Sequence, residues 1–252
     1  MNLAAKRVPG ALAGLAWCAL AACAPTWPAF AASPVVAISR GAATAPELAA
    51  YRAWVRSDSA AAALLDVARF SILNTLPHET WPWPDDGSTP PSEVPTDPAW
   101  PGAPRPVYVT LTRGRAIRAC VGSDVPLEGS LGGTVWRLAR QALTADRRRA
   151  PVREDEFDSL RVVIAFAGDP VPVADPYAVR PLLEGLRIET PRGGIVFLPG
   201  EARTISWALA EARRAGVLSG PVSEARCSRF PVVVVRDAHA LNTYHRLEGW
   251  VP

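Results

Sequence analysis

The feature that most limits how this chain can fold is a proline-rich segment at residues 77–106. Proline fixes φ and lacks an amide proton, so prolines at this density exclude both a helix interior and a central strand. We therefore predict a long loop between a helical region over residues 46–76 and a region of mixed elements beyond it. Trp81, Trp83 and Trp100 lie in the loop and predict that it packs onto the domain. Stacking of these rings on a ligand is the alternative.

The region after the loop predicts an α+β fold built largely from hairpins. Residues 107–112 alternate apolar and small polar side chains, Arg113 and Gly114 form a turn, and residues 116–121 return as a second strand. Further periodic segments predict a helix over 131–146 capped by Ser130, a strand over 161–167, a short helix over 176–184, a hairpin over 186–198, a helix over 203–215 ending at Gly216, and a strand over 230–236. The elements do not alternate as βαβ units, which favours the α+β class.

The N-terminus has the order of a secretion signal: Lys6 and Arg7, then an uncharged run over residues 10–22 that is too short to span a bilayer. Residues 20–23, Leu-Ala-Ala-Cys, have the form of a lipobox, which predicts cleavage before Cys23 and attachment of a lipid to its thiol. Residues 29–31, Ala-Phe-Ala, offer ordinary signal peptidase cleavage and a soluble periplasmic or secreted protein as the alternative. A buried N-terminal helix is the remaining interpretation.

We thus predict a signal peptide over 1–22, a flexible Ala- and Pro-rich tether over 23–44, one folded domain over 45–245 and a short tail over 246–252. The predicted location is the periplasm or cell envelope, with a lipid anchor on Cys23 holding the protein to a membrane. The 27 basic residues exceed the 24 acidic ones by three, and loss of the two basic residues in the signal leaves an excess of one. This balance gives no electrostatic basis for binding nucleic acid.

Familiar catalytic and cofactor motifs are missing from the sequence. It contains no G-x-S-x-G elbow, Walker loop, dinucleotide fingerprint or H-E-x-x-H pair. His78, His239 and His245 are scattered, and none pairs with a cysteine or carboxylate at metal-ligand spacing. We predict neither a metal nor a cofactor. Glycines 129, 132 and 133 surround the start of the helix over 131–146, where free amides could hold an anion, although such glycines are usually turn residues.

One segment, residues 118–123 with the sequence Arg-Ala-Cys-Val-Gly-Ser, carries candidate chemistry. Strand alternation places Arg118 and Cys120 on the same face, just before a glycine that allows a turn. A nearby guanidinium would favour the thiolate, which is the reactive form of cysteine. The alternative is a small buried cysteine beside an arginine in a structural ion pair. A disulfide between Cys120 and Cys227 is a third possibility in an oxidising compartment.

The same segment resembles the L-R-G-C-I-G-T signature of the AMME chromosomal region gene 1 family, the AMMECR domain. The resemblance extends over roughly residues 60–240, and further family-like segments follow the family's order: residues 108–111, 142–152, 156–160, 185–188 and 197–199, then Trp207 and residues 215–216. Four departures stand out: Ala119 for the motif glycine, Arg149 for a phenylalanine, Ala165 for a serine, and Gly200-Glu201 within the L-P-Q/E-V pattern. The Ala119 change puts close approach of a ligand to the backbone in doubt. The change to Arg149 predicts that the loop after the helix is less firmly packed.

The resemblance implies a two-lobed α+β domain with mixed or antiparallel sheets, in which the segment around Cys120 lines the cleft between the lobes. The family has no settled activity. We predict a module that binds a peptide, an envelope protein or a small molecule in this cleft, whose residues are Arg118, Gly122, Ser123, Asp146 and Arg148. The alternative is a thiol-dependent enzyme or redox protein with Cys120 as the catalytic cysteine. The lack of a general base, metal site or cofactor motif favours binding.

Overall fold

The computed structural model describes residues 35–38, 44–75 and 98–241. The predicted signal peptide, Cys23 and the C-terminal tail lie outside these residues, as do Trp81 and Trp83. Among the described residues, no helix is both long and apolar enough to cross a membrane.

The described residues form four α-helices and nine β-strands, which confirms the α+β class. The helices are α1 Ala49–Val55, α2 Asp58–Thr75, α3 Leu131–Thr144 and α4 Ile205–Arg214. The strands are β1 Val35–Ile38, β2 Val107–Arg113, β3 Ala116–Ser123, β4 Leu160–Ala167, β5 Val171–Val173, β6 Gly185–Thr190, β7 Gly193–Phe197, β8 Arg226–Phe230 and β9 Val232–Arg236. Short 3₁₀ turns lie at Pro46–Leu48, Glu154–Ser159, Pro176–Ala178 and Val222–Glu224.

The strands form two antiparallel sheets. The larger has the order β1-β9-β4-β2-β3, and the smaller has the order β5-β8-β6-β7. The chain passes between the sheets after β4 and again at Pro231, between β8 and β9. The amide of Gly168 donates to the carbonyl of Pro231 at 2.8 Å, which ties the two crossings together.

The larger sheet is packed on both faces. In β2, Val109 and Leu111 pack with α2 and α3 in one core, whereas Tyr108 belongs to a second cluster that lies between the two sheets. Phe230 of β8 and Leu198 after β7 complete that second cluster from the side of the smaller sheet. The outer face of the smaller sheet packs against α4 in a third cluster.

The two amphipathic helices lie within two residues of their predicted bounds: α3 ends at Thr144 rather than at residue 146, and α4 runs over Ile205–Arg214 rather than over 203–215. Ser130 caps α3, its hydroxyl accepting from the Gly133 amide at 2.9 Å. The Gly132 amide donates to the carbonyl of Pro98 at 3.0 Å, so these first-turn amides bind the protein itself rather than an anion. Thr204 caps α4 in the same way, and Gly216, at a φ of 73°, follows its end as a left-handed C-terminal glycine.

Three expectations are corrected by the structure. The predicted strand over 230–236 is two strands in different sheets, because Pro231 has no amide to continue a ladder. The predicted helix over 176–184 is reduced to the turn Pro176–Ala178, with Pro181 unable to donate a helical hydrogen bond. The predicted tether over 23–44 is not flexible throughout, because Val35–Ile38 pairs with β9 as an edge strand of the larger sheet.

The end of the proline-rich loop follows the prediction. Residues 98–106 contain no helix or strand, and Trp100 packs against the core formed by α2 and α3.

Candidate functional site

The segment around Cys120 lies on β3, the outermost strand of the larger sheet beside β2. Cys120 is opposite Thr110 in the register and packs against the cluster between the two sheets. Ala119 points the other way, into the core with α2 and α3, and is 1% exposed. The alanine that replaces the motif glycine therefore contacts the core with α2 and α3, and not the cluster between the two sheets.

The Cys120 thiol is enclosed by polar groups. The Thr110 hydroxyl donates to Sγ at 3.2 Å, and the Cys120 amide donates to Oδ2 of Asp146 at 2.9 Å. Burial raises the pKa of Cys120 to about 12, and the Glu201 carboxylate acts in the same direction. The hydrogen bond from Thr110 and the charge of Arg148 oppose this rise without cancelling it. The thiol is thus neutral at physiological pH, in the form that does not attack.

Arg148 joins two buried carboxylates beside the cysteine. Its Nε donates to Oδ1 of Asp146 at 3.0 Å, and its Nη1 donates to Oε1 of Glu201 at 2.8 Å. The second oxygen of Glu201 accepts from the Leu198 amide at 3.0 Å. The Asp146 and Glu201 side chains are only 5% and 4% exposed. This network connects β3, the loop after α3 and the loop after β7, and so joins the two sheets.

The charges in this network support one another. Burial tends to raise the pKa of Asp146, but its hydrogen bonds and ion pair with Arg148 hold it below the ordinary value. Burial raises the pKa of Glu201 despite the same arginine. Burial tends to lower the pKa of Arg148, yet the two carboxylates raise it above the ordinary value, so the guanidinium keeps its charge.

Arg118 has a different role from the one predicted. Its Nε and Nη2 donate to the two oxygens of Glu156 at 2.5 and 2.7 Å, and Nη1 and Nη2 donate to the carbonyls of Ala150 and Pro151. The pair with Arg118 lowers the pKa of Glu156 to about 2. This corrects the expectation that Arg118 favours the thiolate, because the guanidinium whose charge acts on Cys120 is that of Arg148. The Arg118 bonds also hold the loop after α3 in place. Arg149 is exposed, so the arginine at this position does not disturb the loop.

Gly122 has a steric reason to be glycine. It lies opposite Tyr108, and a Cβ built on it would come within 2.0 Å of Cδ1 of the tyrosine ring. Because the ring lies over the glycine, the Tyr108 hydroxyl reaches Oδ1 of Asp124, to which it donates at 3.3 Å. Arg187 on β6 donates from Nη2 to the same hydroxyl at 3.2 Å and is paired with Asp124. These groups connect the two sheets a second time, at the exposed end of β3.

The predicted cleft residues therefore divide into three groups. Asp146 and Arg148 are next to Cys120, and Gly122 and Ser123 lie farther along the exposed end of β3. Ser123 is engaged in its own turn, since its hydroxyl donates to the carbonyl of Val125 at 2.7 Å. Arg118 is held away by its ion pair.

Several site residues could not be singled out from the sequence: Tyr108, Thr110, Asp124, Arg187 and Glu201. Glu201 belongs to the pair Gly200-Glu201, which departs from the family's L-P-Q/E-V pattern, but that departure does not indicate a contact with Arg148. Tyr108 and Thr110 also lie within a segment that resembles the family, although nothing in that segment indicates a contact with Cys120.

Cys120 and Cys227 are both free thiols. Cys227 lies in the core between the smaller sheet and α4, whereas Cys120 faces the cluster between the sheets, so no disulfide joins them in this structure. Among the described residues, no three His, Cys, Asp or Glu side chains are grouped so that they could hold a metal ion.

Comparison with known proteins decides the family. The AMMECR1 family model matches residues 65–234. The chain belongs to the AMMECR1 family. It is 34% identical over 92 residues to a protein of Methanocella arvoryzae and 32% identical over 99 residues to protein Mbar_A1807 of Methanosarcina barkeri. These matches cover 34% and 39% of this chain and 46% of each relative, so the chain spans about half the length of the curated relatives.

A solved structure is also similar to this AMMECR1-family chain. The crystal structure of the uncharacterized protein PH0010 from Pyrococcus horikoshii aligns with a TM-score of 0.48 and 20% sequence identity. The alignment covers 70% of this chain and 91% of that protein.

The raised pKa of Cys120 predicts slow alkylation of this AMMECR1-family protein. Iodoacetamide should modify Cys120 in the folded protein slowly, and the rate should show no titration midpoint between about pH 7 and about pH 10, because the thiolate forms only near pH 12. In denaturant the same thiol should titrate near its ordinary value of about 8.5. Mass spectrometry of the labelled peptide measures the rate. A midpoint below about pH 9 in the folded state would contradict the neutral-thiol assignment.

The Arg148 network predicts a large difference between two adjacent arginines. Arg148→Ala leaves Asp146 and Glu201 buried without their cation and should lower the free energy of unfolding by about 3–5 kcal/mol. Arg149→Ala removes an exposed neighbour and should change it by less than about 0.5 kcal/mol. Urea denaturation followed by tryptophan fluorescence measures both values. Equal stabilities for the two variants would show that Arg148 does not hold the sheets together.

Proposed function

We propose that this AMMECR1-family protein is a binding module that takes a peptide along the open edge of β3, in the segment predicted to line a cleft, and does not chemically alter it. The observation that carries the proposal is the open edge of β3 at Gly122, next to the polar groups of Tyr108, Asp124 and Arg187.

The edge of β3 is covered at Cys120 but open at Gly122. The Cys120 amide binds Asp146, which lies beyond the sheet, so this amide points away from β2. In an antiparallel strand, main-chain groups two residues apart point the same way, so the N–H and C=O of Gly122 also face the edge. Gly122 is exposed, and among the described residues no other strand pairs with β3 on this side. An extended peptide can add to such an edge through main-chain hydrogen bonds.

The chemistry around Cys120 weighs against the alternative of a thiol enzyme. A nucleophilic cysteine needs a base or a positive neighbour that stabilises its thiolate. Here Arg148 is neutralised by two carboxylates, and one of them, Glu201, helps to raise the pKa of the thiol to about 12. Cys120, Arg148 and Glu201 are each held by at least two partners, so they can form a rigid side of a binding site.

A screen of short synthetic peptides on an array, probed with the purified full-length protein, tests the proposal. Peptides that bind the wild type should bind Gly122→Ala at least about tenfold more weakly, because the new methyl group displaces the Tyr108 ring. Gly129→Ala is the matched control, since a Cβ there meets nothing within 4 Å. Cys120→Ala should leave binding intact.

A second measurement does not depend on how Gly122→Ala folds. Methylation of single main-chain nitrogens in a bound peptide should abolish binding at alternate positions if the peptide pairs with β3 as a strand. The proposal fails if no peptide binds above background, or if N-methylation has no effect at any position.

For the location, we propose that the protein is attached to a membrane of the cell envelope through a lipid on Cys23. The basic start, the uncharged run and the lipobox at residues 20–23 support this proposal. The distance from Cys23 to the first described strand, at Val35, leaves a short Ala- and Pro-rich segment as the link.

Export in a bacterial host tests the anchor. The wild type should be recovered in the membrane fraction with a lipid-modified N-terminal cysteine, and Cys23→Ala should lose both the lipid and the membrane association. Intact-mass analysis identifies the mature N-terminus. A wild-type chain that begins at Ala32 would instead establish cleavage after residues 29–31 and a protein without a lipid anchor.

A further inference from the structure

We infer that Arg187 binds an anionic group of the peptide at the exposed end of β3. In the free protein Asp124 pairs with Arg187 in place of a carboxylate of the ligand. This inference rests on the proposed function and names the chemical class of peptide: one that presents a carboxylate beside the open edge of β3.

Arg187 has unused hydrogen-bond donors. Its side chain is 19% exposed, and only Nη2 is bonded, to the Tyr108 hydroxyl and Asp124. The nearest other carboxylate oxygen, on Glu189, is 3.9 Å from Nη1, beyond hydrogen-bond distance. Among the described residues, Nε and Nη1 therefore make no hydrogen bond, although neither is sealed from solvent. A guanidinium carries five N–H donors, so this one can accept a further ligand.

The other two arginines of the region contrast with Arg187. Arg118 and Arg148 each use all three guanidinium nitrogens in hydrogen bonds within the protein. In both, every guanidinium nitrogen is therefore engaged within the protein. Arg187 is half-buried to a similar degree but donates from one nitrogen only, which leaves Nε and Nη1 available to a ligand.

Asp124 holds Arg187 through an exposed contact to one oxygen. Its side chain is 55% exposed, and a single oxygen, Oδ1, receives both the Tyr108 hydroxyl and Arg187. This one-oxygen contact lacks the two parallel bonds of a strong arginine–carboxylate pair, and exposed ion pairs are weak. The turn that carries Asp124 is fixed by hydrogen bonds between Ser123 and Val125, so it does not depend on the ion pair.

The surroundings of Arg187 select a carboxylate. Tyr108 is a second donor at the same point, and burial raises its pKa to about 12, so its hydroxyl keeps the proton that it donates. Glu189 lies 3.9 Å from Nη1 of the guanidinium, and its negative charge disfavours a dianion such as phosphate. Tyr108, which binds Arg187, is also opposite Gly122 in the register, so the guanidinium lies near the point where the proposed peptide would pair with β3.

Matched peptides test the inference. Array peptides that bind should be remade with each Asp or Glu changed to Asn or Gln, with a free or an amidated C-terminus, and with phosphoserine in place of the acid. We expect the carboxylate form to bind about tenfold more tightly than its amide, and the C-terminal arms to show whether that carboxylate is a side chain or the chain end. Tighter binding of phosphoserine peptides would overturn the assignment to a carboxylate.

Two variants locate the effect. Asp124→Asn removes the competing charge and should strengthen binding of acidic peptides severalfold without changing neutral ones. Arg187→Gln should abolish the preference for acid while neutral peptides still bind at β3. Arg226→Gln, an exposed arginine on the adjacent strand β8, is the control and should retain the preference. An acid preference that survives Arg187→Gln would overturn the inference and leave the proposed function standing.

A small probe separates the two proposals completely. N-acetyl-aspartate methylamide should shift the Nε–H NMR signal of Arg187, assigned by its loss in Arg187→Gln, and should do so at lower concentration in Asp124→Asn. The asparagine analogue should have no effect. No shift in either protein overturns the inference even if peptides bind at Gly122. A shift without any peptide binding would support the anion site and refute the proposed function.

Discussion

The ion pairs of Arg148 with Asp146 and Glu201 are the interaction on which the relative position of the two sheets depends. The guanidinium neutralises Asp146 and Glu201, which come from loops on different sheets and are almost fully buried. Each carboxylate also accepts a main-chain amide, from Cys120 or from Leu198. Because a buried carboxylate without a cation is costly, the two loops are fixed relative to one another as long as the arginine is in place.

This network explains the residues of the cysteine motif in structural terms. Arg118 fastens the loop after α3 through Glu156, Gly122 leaves space for the Tyr108 ring, and Cys120 fills the gap between Thr110 and the Arg148 network. The cysteine is thus a neutral group beside the cluster between the two sheets, with carboxylates next to it that disfavour its anion. The properties of a motif of this kind come from its neighbours, which are distant in sequence, rather than from the order of its own residues.

The two connections between the sheets differ in their exposure. All three nitrogens of the Arg148 guanidinium donate to Asp146 and Glu201, whose side chains are almost fully buried. At Arg187 only Nη2 donates, to the Tyr108 hydroxyl and to Asp124, whose side chain is 55% exposed. The first connection is shielded from water, whereas the second is open to it.

The sequence alone determined what depends on short-range periodicity and capping: the hairpin of β2 and β3, helix α3 from its Ser130 cap, helix α4 to Gly216, and the family. It also placed Asp146 and Arg148 together, since they are two residues apart. The tertiary structure alone decided the pairing of β1 with β9, the separation of β8 from β9, and the partners of the site. Glu201 is 53 residues from Arg148, and Arg187 is 79 from Tyr108. Contacts at such separations depend on how the two sheets pack, and no local pattern encodes that packing.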